Sequence, residues 1–119
     1  MRSLIILMAL AGVAAPAAAQ ERAAADTTIT GQVVDLTCFA HGQSGENHKT
    51  CAEACAKAGV QLGILGTDGT LYVPISSKPA DPTNSRLVAF AERKVRVTGV
   101  HKLVNGLHTI ELKAVATAS

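Results

Sequence analysis

Two dipeptides, Asp68-Gly69 and Asn105-Gly106, each stand between apolar runs. They commit much of the C-terminal half of this chain to β-hairpins. Both suit the tight type I′ turn, whose two central residues need positive φ. The first would join the strands of the Ile64–Val73 run, and the second those of the Val95–Leu112 run. In the last strand His108, Ile110 and Leu112 share one face, while Thr109, Glu111 and Lys113 take the other. His101 and His108 flank the Asn-Gly turn, but on different registers: in a two-residue loop His108 faces Leu103. Lone strand histidines of this kind read as packing residues.

Upstream, residues 29 to 39 read as a first strand, with Gly31 marking a bulge or bend. Val34, Leu36 and Cys38 fall on one face, so Cys38 ends the strand on its buried side. Asp35, between Val34 and Leu36, reads as a solvent-facing residue, or as the polar partner of an imidazole or a helix N-terminus. A polar, glycine-bearing loop runs from His41 to Asn47. A short helix follows: Thr50 and Glu53 have capping-box spacing and Gly59 is a good stop, with Asn47 the alternative cap. Residues 74 to 84 are loop, and residues 85 to 93 form a second helix. The expected fold is mainly β: a small five-stranded OB-fold-like barrel. A Cys-bearing helix is inserted between strands 1 and 2, and another helix lies between strands 3 and 4.

The N-terminus has one positive charge at Arg2, an apolar run from Leu4 to Val13, and small residues up to Ala19. That is the pattern of a secretory signal peptide. The expected organisation is a signal peptide over 1–19, a loose leader over 20–27 and one OB-like domain over 28–116. Localisation is then periplasmic or secreted, and no segment reaches the ~20 apolar residues of a membrane span. The chain carries 11 Lys/Arg and 9 Asp/Glu, so losing Arg2 with the leader leaves ten against nine. No basic stripe remains to track a phosphate backbone, and Tyr72 and Phe39 are too few to stack bases; nucleic acid is not an expected partner.

All three cysteines, with His41 and His48, lie within the eighteen residues from Cys38 to Cys55. Read helically, His48, Cys51 and Cys55 stand at i, i+3 and i+7, one face of a helix. Cys38 arrives from the preceding strand. Three sulfurs and one imidazole make an accepted tetrahedral set for zinc, and soft thiolates also hold Cu(I). The candidate metal ligands are Cys38, His48, Cys51 and Cys55, with His41 as the alternative imidazole. The expected function is soft-metal binding for storage, delivery, sensing or resistance. Its partners are the metal ion and a periplasmic protein that exchanges it.

Export raises a rival, since an oxidising compartment turns neighbouring thiols into bridges. Cys38 bridged to Cys51 or Cys55 would make a disulfide-stabilised binding module for a protein or small ligand. Three cysteines leave one thiol over, however. A thiol–disulfide exchange protein is a third reading, weakened because the motif is C-x-x-x-C on a β-rich frame. No catalytic triad, paired-carboxylate site or phosphate loop is visible, so the pattern gives no sign of a turnover reaction.

The segments Gly31-Gln-Val-Val-Asp-Leu-Thr-Cys38 and His48-Lys-Thr-Cys51-Ala-Glu-Ala-Cys55-Ala-Lys-Ala-Gly59 carry a resemblance. The chain resembles small exported bacterial OB-fold-like proteins of uncharacterised function, which share G-x-V-V-D-x-x-C and H-x-x-C-A-x-x-C stretches. That resemblance implies a fold and a compartment, and no activity.

Overall fold

The computed structural model describes residues 25–119, so the expected signal peptide over 1–19 and residues 20–24 lie outside the described residues. Five strands are formed: β1 (Asp26–Asp35), β2 (Leu62–Gly66), β3 (Leu71–Ile75), β4 (Lys94–Val104) and β5 (Leu107–Thr117). They close into a ring in the order β1-β2-β3-β5-β4, with β4 returning to β1. All pairings are antiparallel except β3 with β5, which is parallel.

β1 serves two neighbours in succession. Its first seven residues, Asp26 to Gln32, pair with β4, and Gly31 to Asp35 pair with β2. The hand-over falls at Gly31, where a Cβ would run into the backbone of Leu65. Only glycine lets the two strands approach this closely, so the bend expected there has a steric cause.

The interior of the ring is aliphatic. Ile29, Val33, Leu62, Ile64, Val95, Val97, Ile110 and Leu112 alternate inward from their strands, as the period of two requires. Leu87 and Ala56 enter from helical segments outside the strands. Tyr72, Val88, Phe90 and Val115 pack around the margin.

The helices differ from the sequence expectation in placement. The first strand ends at Asp35, not Phe39, and the chain turns at once into a five-residue helix, α1 (Leu36–Ala40). Asp35 is the reason. Its carboxylate accepts the backbone N–H of Cys38 at 2.9 Å and caps the new helix, which carries Cys38 off the strand. Asp35 is fully buried, so it is not the solvent-facing residue its position in the strand suggested.

A 3₁₀ turn, Glu46–His48, leads into α2 (Lys49–Lys57). The N-cap is His48 rather than Thr50 or Asn47, and it makes no side-chain capping bond. Ala52 and Ala56 are the buried residues of α2. Between β3 and β4 the expected nine-residue helix is broken into α3 (Asn84–Leu87) and a 3₁₀ turn, Val88–Phe90.

The two turns also separate. Asn105 and Gly106 both have positive φ, 49° and 84°, as a type I′ turn needs. In the β2–β3 turn only Gly69 does, at 85°. There Asp68 instead accepts the Thr70 N–H at 3.0 Å, a local side-chain bond that selects a longer turn.

Candidate metal centre

Cys38 comes from α1, His48 from the end of the 3₁₀ turn, and Cys51 from the first turn of α2. One ligand atom from each, two sulfurs and an imidazole nitrogen, lie within 4.8 Å of one another. Among the described residues this is the compact His/Cys/Asp/Glu set able to hold a metal ion. All three cysteines are free thiols, so the disulfide expected as the rival arrangement is not formed. His41 is exposed at the C-terminal end of α1 and takes no part.

Cys55, one turn beyond Cys51, is outside the compact set but adjoins it. Partial burial pushes its thiol up to about 11, and the neighbouring Cys51 side chain is the next cause. The Cys38 thiol is also raised, first by burial and then by the charge of Asp35. Both thiols therefore hold their protons at neutral pH. An arriving cation has to displace them.

The imidazole is fixed from the far side of the fold. Nδ1 of His48 lies 3.2 Å from Oε1 of Glu92, whose side chain is wholly buried. The other oxygen of Glu92 accepts the Gly45 N–H at 2.7 Å and the Gln32 side-chain amide at 2.8 Å. Gly45 presents that N–H from a backbone with φ of 104°, a conformation suited to glycine. One carboxylate thus ties the loop before α2 to β1 and to the histidine.

Glu92 is itself in the left-handed region, with φ of 59°. A non-glycine residue held there costs about 1–3 kcal/mol, and such strain persists where surroundings over-determine it. Here they do. The Glu92 N–H donates to Val33 O at 2.8 Å, the Val33 N–H donates to Arg93 O at 3.1 Å, and Ala91 bridges to Val33. The backbone is pinned to β1 on both sides of the carboxylate.

With Nδ1 engaged, Nε2 of His48 is left buried without a hydrogen-bond partner. Histidine ligands in metal sites show this division, one nitrogen on a carboxylate and the other on the ion. Asp35 Oδ2 is, among the described residues, the other buried side-chain oxygen or nitrogen without a partner, and it belongs to the residue that orients Cys38.

Sequence reasoning nominated Asp35 as the partner of an imidazole or a helix N-terminus. The structure gives Asp35 the helix N-terminus and Glu92 the imidazole. Nothing in the local sequence marked Glu92, because between Ala91 and Arg93 it reads as a solvated helical residue. The one available signal was general: a ligating histidine needs an acceptor for its second nitrogen. No helix among the described residues is long and apolar enough to cross a membrane. Comparison of the chain with protein-family models, with curated proteins and with solved structures returned no match.

Proposed function

We propose that this chain is an exported soft-metal-binding protein whose OB-type ring carries a cysteine-based Cu(I) or Zn(II) centre. Cys38, His48 and Cys51 are the inner ligands and Cys55 is the fourth. The observation that carries this reading is the His48 imidazole, which stands in a compact set with two thiols: its Nδ1 is held by a buried carboxylate while its buried Nε2 has no partner. A buried polar nitrogen left unpaired costs stability, and a bound cation would relieve that cost.

The donor chemistry fits. Sulfur with imidazole suits Zn(II) and Cu(I), and neighbouring ligand atoms around a tetrahedral zinc stand about 3.5 Å apart. Atoms already within 4.8 Å need a contraction of no more than about 1 Å, the scale of small rotamer changes. Cys51 and Cys55 are one helical turn apart, so a third sulfur, the fourth ligand, is available from the same face. The bound ion would supply charge to hold the thiols as thiolates; the chain supplies shape and orientation. The signal-peptide pattern of residues 1–19 supports a role outside the cytoplasm, where storage, delivery or resistance are the useful ones.

Protein purified without oxygen, analysed for metal and titrated for thiols, tests the reading. One equivalent of Zn(II), lost in Cys51→Ala, is the expected result. A metal-free protein that takes up neither Zn(II) nor Cu(I) on titration would end the proposal.

A further inference from the structure

His101 and His108 lie on β4 and β5 beside the Asn105-Gly106 turn. They are not direct cross-strand partners: His101 pairs with Ile110, and His108 with Leu103. Their side chains nonetheless meet on the diagonal of one sheet face, a reach open to long side chains. The expectation that different registers keep these residues apart as separate packing groups is thereby corrected.

The meeting has a specific shape. Nε2 of His101 lies 2.9 Å from Nδ1 of His108, the ring planes are 3° apart, and the centroids are separated by 5.1 Å. The centroid separation nearly equals the nitrogen separation plus the two ring radii, the greatest value such a contact allows. Both nitrogens therefore lie close to the line between the centroids, and the parallel rings are coplanar, edge to edge rather than face to face. One N–H points straight at the lone pair of the other ring.

Tyr72, from β3, braces the pair. Its ring stands at 78° to His101 and 75° to His108, with centroids 5.3 and 5.6 Å away. In the neighbouring β2–β3 turn the Asp68 carboxylate is held below its ordinary range, first by the Thr70 N–H and in smaller part by the nearness of His108. A carboxylate thus stands near His108.

We propose that His101 and His108 form a second metal site, separate from the cysteine centre, that takes a monovalent soft cation, Cu(I) or Ag(I), in linear two-coordinate geometry. Two imidazole lone pairs on one line are the complete ligand set of such an ion. Zinc is poorly served, because it wants four ligands and no third His, Cys, Asp or Glu among the described residues joins this pair in a compact group. Two metal–nitrogen bonds of about 2 Å span about 4 Å, so the rings have to part by about 1 Å along the line they already share.

The proton balance is simple. In the hydrogen-bonded pair one inner nitrogen carries the shared proton. On binding, that imidazole changes tautomer, and its proton passes through water to the outer nitrogen of the same ring. Both inner nitrogens then present lone pairs, and no net proton is released. The cation takes the place of the hydrogen bond.

Ag(I), which keeps its oxidation state in air, is the probe. It is titrated into the full chain with Cys38, Cys51 and Cys55 all changed to Ser, and followed through the ¹⁵N resonances of the imidazoles. One Ag(I) per chain is expected, with His101 Nε2 and His108 Nδ1 moving together. His101→Gln and His108→Gln should each weaken binding at least about tenfold, the loss typical of a damaged metal site. If the triple Ser variant does not fold, the unmodified chain and its His101→Gln variant are compared instead at two equivalents of Ag(I), reading the same imidazole signals. Absence of Ag(I) uptake by the folded Ser variant would overturn the proposal. So would uptake that leaves both imidazoles unmoved, or equal affinity in His101→Gln.

Discussion

Glu92 reaches across 44 residues of sequence to place Oε1 3.2 Å from Nδ1 of His48. The contact joins the end of the β3–β4 connection to the insertion between β1 and β2. It fixes which imidazole nitrogen is free, and so decides which one an ion can use.

Removing that charge should weaken the centre without removing a ligand. Glu92→Gln is expected to lower metal affinity about 10- to 100-fold, measured by competition with a chromophoric chelator. Unchanged affinity would mean that His48 is not a ligand or needs no orientation.

The cysteines should not be equivalent. Cys38 and Cys51 belong to the compact set with His48, and Cys55 stands beside it. Cys51→Ser and Cys38→Ser should abolish stoichiometric Zn(II) binding in anaerobic titrations, whereas Cys55→Ser should retain one equivalent at reduced affinity. Equal loss in all three would make Cys55 an inner ligand.

Thiol protonation sets a direction with pH. The Cys55 thiol lies at about 11 in the folded chain against 9.0 for an unperturbed thiol, and Cys38 is raised as well. A raised folded value means that the folded chain keeps protons the unfolded chain has already lost. This contribution is present below about pH 9 and disappears as pH rises through about 11. Urea midpoints of the metal-free protein should therefore fall across that window, less so in Cys55→Ala. Metal uptake runs the opposite way: binding at pH 7 should release protons, and apparent affinity should rise with pH. Potentiometric titration would read the release directly.

Asp35→Ala should cost about 1 kcal/mol by uncapping α1, with Asp35→Asn largely retaining the cap. Both changes remove the charge that raises the Cys38 thiol. Alkylation of Cys38 near pH 8 should accelerate in both, even where stability differs.

Gly31→Ala should destabilise the ring by about 1–3 kcal/mol, since its methyl group meets the Leu65 backbone and no side chain can move aside. Chemical denaturation measures the loss. Metal affinity of the molecules that remain folded should be little changed, because Gly31 does not touch the centre.

The sequence patterns that foretold structure well were those with a local physical cause. Asn105-Gly106 fixed its turn because both residues tolerate positive φ, and the alternation of Val95 and Val97 set which face is buried. The grouping of His48 with Cys51 followed from helical spacing alone. What spacing could not supply was the competition at Asp35, where a side chain able to cap a helix outweighed the apolar alternation that argued for continued strand. Glu92 was illegible for a different reason. Its conformation and its partner are both imposed by β1, through the two backbone bonds at Val33. The histidine pair is invisible to direct cross-strand opposition, because His101 and His108 meet on the diagonal.

The pinning of Glu92 to β1 has a consequence for the order of events in the life of the chain. Three thiols within eighteen residues can seize a soft ion before any strand has paired, but the fourth donor is oriented only after the ring has closed. Early capture and final occupancy are therefore different states with different affinities. The gap between them is free energy that the ion lends to folding. If the proposed centre is filled in the cell, depriving cells of metal should shorten the lifetime of this protein, making its abundance a gauge of the ion supply.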